Sequence, residues 1–341
     1  MSIGTEKGFD FDDLLLIPRA SSLISRTDVD LTTKLGDTLT LQMPIIASPM
    51  KGIVGEKLVV ELAKLGSIGI MHRFYKDEDS WNRTLLQIRN DTDSQFGVAV
   101  STLINKRDME FILNRFNPKI ICLDTANGYL DTVLAITHVI KNLIIKGGYQ
   151  SKLMVGNIVT YLGAKSLHDS GADLIRVGIG SGQLCTTRNN TGVGYPQLSA
   201  IRGCAGYYEA VYHGVSMEKR QDINWKIVAD GGIRNSGDAV KALAMGADAI
   251  MIGSLFGKCF ESANNGIIYG MASRKLQEEY YHSVKSVEGI EKKLVPDISL
   301  KDFIDEFTFN IRSACTYLNV HKLHNLRDKA SWVETGKGTI K

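Results

Sequence analysis

Eight short apolar runs recur along the chain, at 44–47, 67–71, 97–100, 120–124, 153–157, 174–178, 226–230 and 249–253. Near-continuous hydrophobicity over four or five residues suits parallel strands buried on both faces, whereas exposed antiparallel strands alternate. Between the runs, 56–65 and 237–245 carry the apolar spacing of crossover helices. Eight repeats of strand then helix predict a closed (β/α)8 TIM barrel over about 40–260. Beyond it, the polar and small residues from 263 to about 296 predict an extended loop over the barrel mouth, and 300–318 predicts a terminal helix. No Pro/Ser-rich linker interrupts the chain, so 1–341 reads as a single domain. An open doubly wound sheet is the alternative, but its dinucleotide fingerprint is spoiled: Gly178, Gly180 and Gly182 alternate, and Gln183 stands where the last glycine belongs.

Composition narrows the function classes. The 341 residues carry a formal net charge of +3 without a Lys/Arg block, which gives no sign of a nucleic-acid partner. No apolar run reaches the roughly 18 residues of a membrane span, and no basic segment followed by an apolar stretch opens the chain. The five cysteines, Cys122, Cys185, Cys204, Cys259 and Cys315, are widely spaced without a C-x-x-C pair, against both a zinc site and a disulfide framework. Reduced thiols and no leader predict a cytoplasmic protein. His321 and His324 have helical spacing but no carboxylate or cysteine nearby to complete a metal site.

Polar and glycine-rich groups follow the apolar runs, where barrel enzymes carry their chemistry. The loop from Gly178 to Arg188 ends an apolar run with Gly178, Gly180 and Gly182, residues that enter positive φ at no steric cost, and then sets Cys185. Cys185 reads either as a nucleophile, given a nearby base, or as a small buried hydrophobe. Thr187 reads either as a hydroxyl beside the reacting carbon or as an ordinary loop hydroxyl. The carbonyls of Gly180, Gly182 and Cys185 are candidates for a monovalent cation. Asp230, Gly231 and Gly232, with Gly253 and Ser254, follow the seventh and eighth runs. There barrels often bind phosphate through backbone N–H groups, and there too glycines can serve only to cap strands. Asp230 suits ribose hydroxyls better than phosphate. Asp124, Thr125 and Ala126, with Asn127 and Tyr129, make a surface for a flat ligand or a plain Asx turn. Glu288 is either a solvated carboxylate or a group reaching over the mouth to work with Thr187 in proton transfer.

In order along the chain, several segments resemble the IMP dehydrogenase/GMP reductase family over nearly the whole length. They are Phe11 to Pro18, Ala47 to Met50, Gly178 to Arg188, Ala229 to Ile233, Ile252 to Ser254, Tyr269 to Met271, and Glu288 with Gly289. The resemblance implies a purine nucleotide attacked at C2 by Cys185, with Thr187 and Glu288 relaying the proton. It implies nucleotide contacts from Ser48, Asp230, Gly231, Gly232, Gly253, Ser254, Gly270, Met271, Ala272, Lys285 and Gly289. For NADPH it implies Ser25, Arg26, Asp124, Thr125, Ala126, Ile179 and Gly180, with Ser313, Ala314, Cys315 and Thr316 from a neighbouring subunit and Arg73 on the 2′-phosphate. It also implies potassium at Gly180, Gly182, Cys185 and Arg188, and a homo-oligomer, a tetramer.

Three features favour the reductase branch, which converts GMP to IMP and ammonia. The 123–129 and 191–197 loops look like the reductase versions. The 71–97 connection has no space for the paired CBS motifs that dehydrogenases insert, and no Arg-Tyr pair occurs to activate water. The alternatives are a dehydrogenase lacking CBS motifs, which turns IMP into XMP with NAD, and a catalytically silent nucleotide binder. Departures from the family pattern are Gln183 in place of a serine, Lys51 in place of aspartate and Lys285 in place of arginine.

Overall fold

Eight parallel strands close into a barrel in the computed structural model, which describes residues 7–75, 77–215, 217–281, 284 and 287–336. The strands are β1 (Ile45–Ala47), β2 (Ile68–Met71), β3 (Gly97–Val100), β4 (Ile120–Asp124), β5 (Lys152–Ile158), β6 (Leu174–Val177), β7 (Lys226–Asp230) and β8 (Ala249–Ile252). Each pairs with the next, and β8 returns to β1 with Met251 opposite Ile46. Every apolar run of the sequence therefore holds one strand. Closure rules out the doubly wound alternative, which leaves two open edges.

The principal helices are α1 (Glu56–Lys64), α2 (Glu78–Thr92), α3 (Lys106–Phe116), α4 (Asp131–Lys146), α5 (Tyr161–Asp169), α6 (Gln197–Val211), α7 (Ser236–Met245) and α8 (Leu300–Tyr317). Their starts are written locally. Asp77, Asn105, Thr160, Asn235 and Ser299 each accept a backbone N–H of the first turn, satisfying a donor the helix leaves free. The connection from β2 to β3 contains α2 as its one named element.

Period-two alternation divides the strand side chains between two cores. Ile46, Ile70, Ile120, Met154, Leu174, Val228 and Met251 point inward and meet Leu35, Leu39 and Leu41, brought by the hairpin of Thr33–Lys34 with Thr40–Leu41 that plugs the N-terminal end. Outward residues such as Ile45, Val98, Ile121 and Ile227 pack under the helices. With the bottom filled by hydrocarbon, the open C-terminal rim is left for polar groups.

Over that rim the structure is more regular than the predicted loop. Ile267–Tyr269 pairs antiparallel with Glu291–Lys293, and between them lie the helical turns Arg274–Leu276 and Gln277–Tyr281. Tyr269 and Leu276 bury against Phe74 after β2, with Met271 and Tyr280 packed around them. Strand Leu14–Leu16 pairs antiparallel with Trp332–Glu334, tying together the two ends of the described chain. Among the described residues no helix is long and apolar enough to cross a membrane.

Candidate active site

The loop after β6 is shaped by what surrounds it. Gly178 has φ +145°, and a Cβ there would overlap the carbonyl oxygen of Asp230 and approach the Gln197 amide to 2.8 Å. Gln197 is fully buried and donates to the carbonyls of Val177 (2.8 Å) and Asp230 (3.3 Å), stitching the ends of β6 and β7 beneath the loop. Gly180 also takes a positive φ and lies against the Arg188 side chain, whose guanidinium donates to Asp10 (3.1 Å) and to the Tyr195 carbonyl. Gly182 differs from expectation: its φ is not positive, and a Cβ there would meet nothing closer than Cys185 Cβ at 3.5 Å.

Cys185 emerges half-buried from this turn, whereas the other four cysteines are buried. Burial pushes the thiols of Cys122, Cys259 and Cys315 up to about 12 and that of Cys204 higher, so those four stay protonated and inert. The Cys185 Sγ lies 3.1 Å from Thr187 Oγ1, in the first turn of the short helix Thr187–Thr191, and Thr187 Oγ1 donates to Glu288 Oε2 at 2.7 Å. Backbone bonds hold this chain in register. Thr186 N–H donates to Glu288 O (3.1 Å) and Ile290 N–H to Leu184 O (3.1 Å), while Glu288 N–H donates to Ala272 O (3.1 Å). The segment carrying Glu288 is thus clamped between the cysteine loop and residues 270–273. Gly270 and Gly289 touch closely, with 3.1 Å from a built Cβ of either to the other's Cα. Glu288 is accordingly half-buried and bonded, not a freely solvated side chain.

A second polar cluster lies just below the rim. Arg176, in β6, is 5% exposed and points into the barrel. Its Nη2 and Nε donate to Asp230 Oδ2 (2.7 and 3.2 Å), and its Nη1 donates to Asp124 Oδ1 (2.6 Å) and approaches Cys122 Sγ at 3.5 Å. Asn157 Nδ2 donates to Asp230 Oδ2 (2.8 Å) and to Gly178 O (2.8 Å). Burial opposes the charge on Arg176, but the facing Asp230 and Asp124 outweigh it and hold the guanidinium protonated. The strand register explains the reach. Asp124, Gly156 and Arg176 are successive partners across β4, β5 and β6, and a side chain at 156 would run into Arg176 Cβ at 2.5 Å.

Around these groups the remaining sequence candidates fall into three places. Ser48 is buried after β1, its N–H on Ile252 O (2.8 Å), with Met50 lying under Gly253. Ser254 Oγ donates to Gln183 Oε1 (3.2 Å), and Gly231 and Gly232 turn against Ser181. Asp230, Gly231, Gly232 and Ser254 thus touch the 178–185 loop, whereas Ser48 and Met50 stand behind Gly253 and Met271 packs with Phe74, Tyr269 and Leu276. The loop of Asp124, Thr125 and Ala126 lies beyond Arg176, bound to β5 through Thr125 N–H on Gly156 O (3.2 Å) and Asn157 N–H on Thr125 O (3.0 Å). Arg73 stacks on Phe74 at 4.4 Å after β2.

Ser25 and Arg26 stand elsewhere. Ser25 begins a short helical turn, and Arg26 lies over the Phe309 ring of α8 at 4.7 Å, the helix that also carries Ser313, Ala314, Cys315 and Thr316. That helix packs beside α7 and α1, outside β8 and β1 and across the barrel from Asp124. One chain therefore does not join this set to the Asp124 loop, and Cys315, fully buried in the core, offers no exposed thiol. Lys285 lies outside the described residues. Among the described residues, no three His, Cys, Asp or Glu side chains are grouped to hold a metal.

Residues 8–341 match the model of the IMP dehydrogenase / GMP reductase domain. The chain belongs to the IMP dehydrogenase/GMP reductase family. Within the family it is similar to GMP reductase of Onchocerca volvulus, 32% identical over 360 residues covering 99% of this chain and 94% of the relative. It is 33% identical to GMP reductase 2 of Bos taurus over 352 residues (97% and 95%) and 31% identical to GMP reductase 1 of Homo sapiens over 354 residues (97% and 96%). Of the motifs, those at 178–188, 229–233, 252–254, 269–271 and 288–289 meet around the cysteine loop, whereas Leu14–Leu16 pairs with Trp332–Glu334. Arg176 was missed by sequence reasoning, although its signal was present: a charged residue at an inward position of an otherwise apolar strand, opposite a glycine.

Proposed function

We propose that this chain is a GMP reductase, catalysing NADPH-dependent reductive deamination of GMP to IMP and ammonia through a covalent Cys185 thioimidate. The observation that carries the reading is the hydrogen-bonded row from Cys185 through Thr187 to Glu288, a nucleophile joined to a carboxylate by one hydroxyl. In this reading the Cys185 sulfur bonds to C2 of the purine and the C2–N bond breaks. The thiol proton moves through Thr187 to Glu288, which returns it through Thr187 to the departing amine, so that ammonia leaves instead of amide. NADPH, when bound, supplies two electrons to C2 as hydride. Cys185 then leaves as thiolate, and IMP is released.

Asp230 suits the ribose, since Oδ2 is engaged by Arg176 and Asn157 while Oδ1 takes no bond among the described residues. Gly253, Ser254, Gly231 and Gly232 would present backbone N–H groups to the phosphate, with Ser48, Gly270, Met271, Ala272 and Gly289 completing the pocket. The half-buried Thr125 and exposed Ala126, behind the fixed carboxylate of Asp124, fit a flat nicotinamide ring. Ser25, Arg26 and Ser313 to Thr316, remote from that loop in one chain, suit contact with a dinucleotide held by a neighbouring subunit. The carbonyls of Gly180, Gly182 and Cys185 are hard oxygen donors on one turn braced by Arg188, a donor set that fits potassium and would hold the cysteine loop in shape.

The connection between β2 and β3, which holds α2 and no inserted domain, supports the reductase over the dehydrogenase. Incubation with GMP plus NADPH, and separately with IMP plus NAD, tests the choice. Ammonia release with NADPH consumption is expected from the first mixture. Sustained NADH production from the second, without GMP turnover, overturns the proposal, as does normal turnover by Cys185→Ala.

A further inference from the structure

We infer that Arg176 is a positioning residue that couples the two ligand loops, so that nucleotide bound at Asp230 and dinucleotide bound at Asp124 strengthen each other. The inference rests on the functional reading above for what the two loops bind, and on the structure for the connection between them. Among the described residues, Arg176 is the one side chain that hydrogen-bonds both carboxylates. It reaches Asp124 across a strand whose facing residue is Gly156, and it reaches Asp230 on its other side, one strand away.

Each acid gives one oxygen to the guanidinium and keeps the other. Asp230 commits Oδ2 and Asp124 commits Oδ1, and the two side chains are 14% and 15% exposed, so their remaining oxygens sit at the edge of the rim. Two carboxylates facing one guanidinium carry a net charge of −1 in a site where water screens weakly. A hydroxyl or amide donated by a ligand to one free oxygen fixes that carboxylate, and through the planar fork of Arg176 it fixes the guanidinium and the other carboxylate too. The second ligand then meets a group already ordered, which is positive coupling without any large movement. Lysine in the same place keeps the charge but lacks the planar fork whose Nη1 and Nη2 reach one acid each, so it does not fix the two acids relative to one another.

IMP with NADPH is a non-reacting pair, because C2 of IMP carries no amine to expel and NADPH accepts no hydride, so equilibrium binding can be read directly. In the wild type, saturating NADPH is expected to tighten IMP binding about 5-fold or more, with IMP tightening NADPH by the same factor. Arg176→Lys is expected to bring that ratio close to 1. Asp124→Asn, in the dinucleotide loop, is expected to raise KM for GMP several-fold with a smaller change in kcat. Lys241→Met, which removes a buried lysine donating to the Phe11 carbonyl away from the rim, controls for simple loss of stability and is expected to keep the ratio.

If Arg176→Lys fails to fold, Asp124→Asn carries the test: an unchanged KM for GMP overturns the inference. A wild-type ratio of 1, or an Arg176→Lys ratio equal to that of the wild type, also overturns it. Should the wild type fail to turn over GMP, the functional reading falls and the coupling with it. Turnover with unaltered coupling in the variants removes the coupling alone.

Discussion

The hydroxyl of Thr187 donates to the carboxylate of Glu288 at 2.7 Å, joining two residues 101 positions apart. The same oxygen stands 3.1 Å from Cys185 Sγ, so among the described residues it is the single link between sulfur and carboxylate. A hydroxyl can accept from one side while it donates to the other, which valine in the same volume cannot do. Thr187→Val and Glu288→Gln are therefore expected to lower the rate of ammonia release about 100-fold or more, the usual worth of a positioned proton donor. Thr187→Ser, which restores the hydroxyl, should recover most of it. Steady-state ammonia release under saturating GMP checks the set, and a Glu288→Gln enzyme as fast as wild type would take the carboxylate out of the mechanism.

Gly178 supports the same loop from below. Any side chain there must adopt φ +145° and occupy the space of the Asp230 carbonyl, with the buried Gln197 amide closing off the other direction. Strain and overpacking act together at such a site, and Gly178→Ala is expected to cost at least about 1–3 kcal/mol. Urea unfolding should show a lower midpoint with an unchanged slope, because the defect is local to the folded state. Gly182→Ala, at a position with neither positive φ nor a close neighbour, should unfold near the wild-type midpoint.

The contrast between Gly178 and Gly182 shows how far sequence pattern reaches. Both glycines read alike in an alternating run, and only the carbonyl of Asp230, arriving from another strand, distinguishes them. The barrel itself was legible because a parallel strand buried on both faces writes a continuous apolar run, and all eight runs became strands. Cys185, Thr187 and Asp230 were legible as candidates because they follow strand ends, where barrels carry chemistry. Arg176 was hidden inside a run read as hydrophobic, since its meaning depends on which residues lie opposite on β4, β5 and β7. The ribbon of Ile267–Tyr269 with Glu291–Lys293 was hidden for a related reason: its pairing spans a polar segment with no short turn signal.

The Oε1 of Gln183 takes the hydroxyl of Ser254 at 3.2 Å. That hydroxyl sits where the nucleotide phosphate is proposed to bind, so in the free protein it is already spent on a neighbour. Breaking an exposed neutral hydrogen bond costs about 0.5–1.5 kcal/mol, which nucleotide binding must offset. Gln183→Ser should release Ser254 and lower KM for GMP about 2- to 10-fold with kcat little changed. A higher KM in this variant would show instead that the glutamine amide itself holds the phosphate.

His72, just after β2, is buried, stacks on Tyr75 with ring centroids 4.9 Å apart, and accepts the Phe74 N–H at 3.2 Å through Nδ1. Burial, with the nearby Lys51 ammonium adding to it, lowers its pKa from 6.5 to about 3. The folded protein therefore holds His72 neutral at any pH above about 3, whereas the unfolded chain takes up a proton below 6.5. Between those values the unfolded state binds the extra proton, so stability rises with pH and is lost as pH falls. At up to 1.36 kcal/mol per unit, acidification from 6.5 to 5 costs about 2 kcal/mol through this residue alone, and the effect fades above about 7. His72→Gln cannot titrate and keeps an acceptor for Phe74. Urea midpoints measured at pH 7 and pH 5 should therefore fall further for the wild type than for the variant, and equal falls would mean that His72 gains its proton without unfolding.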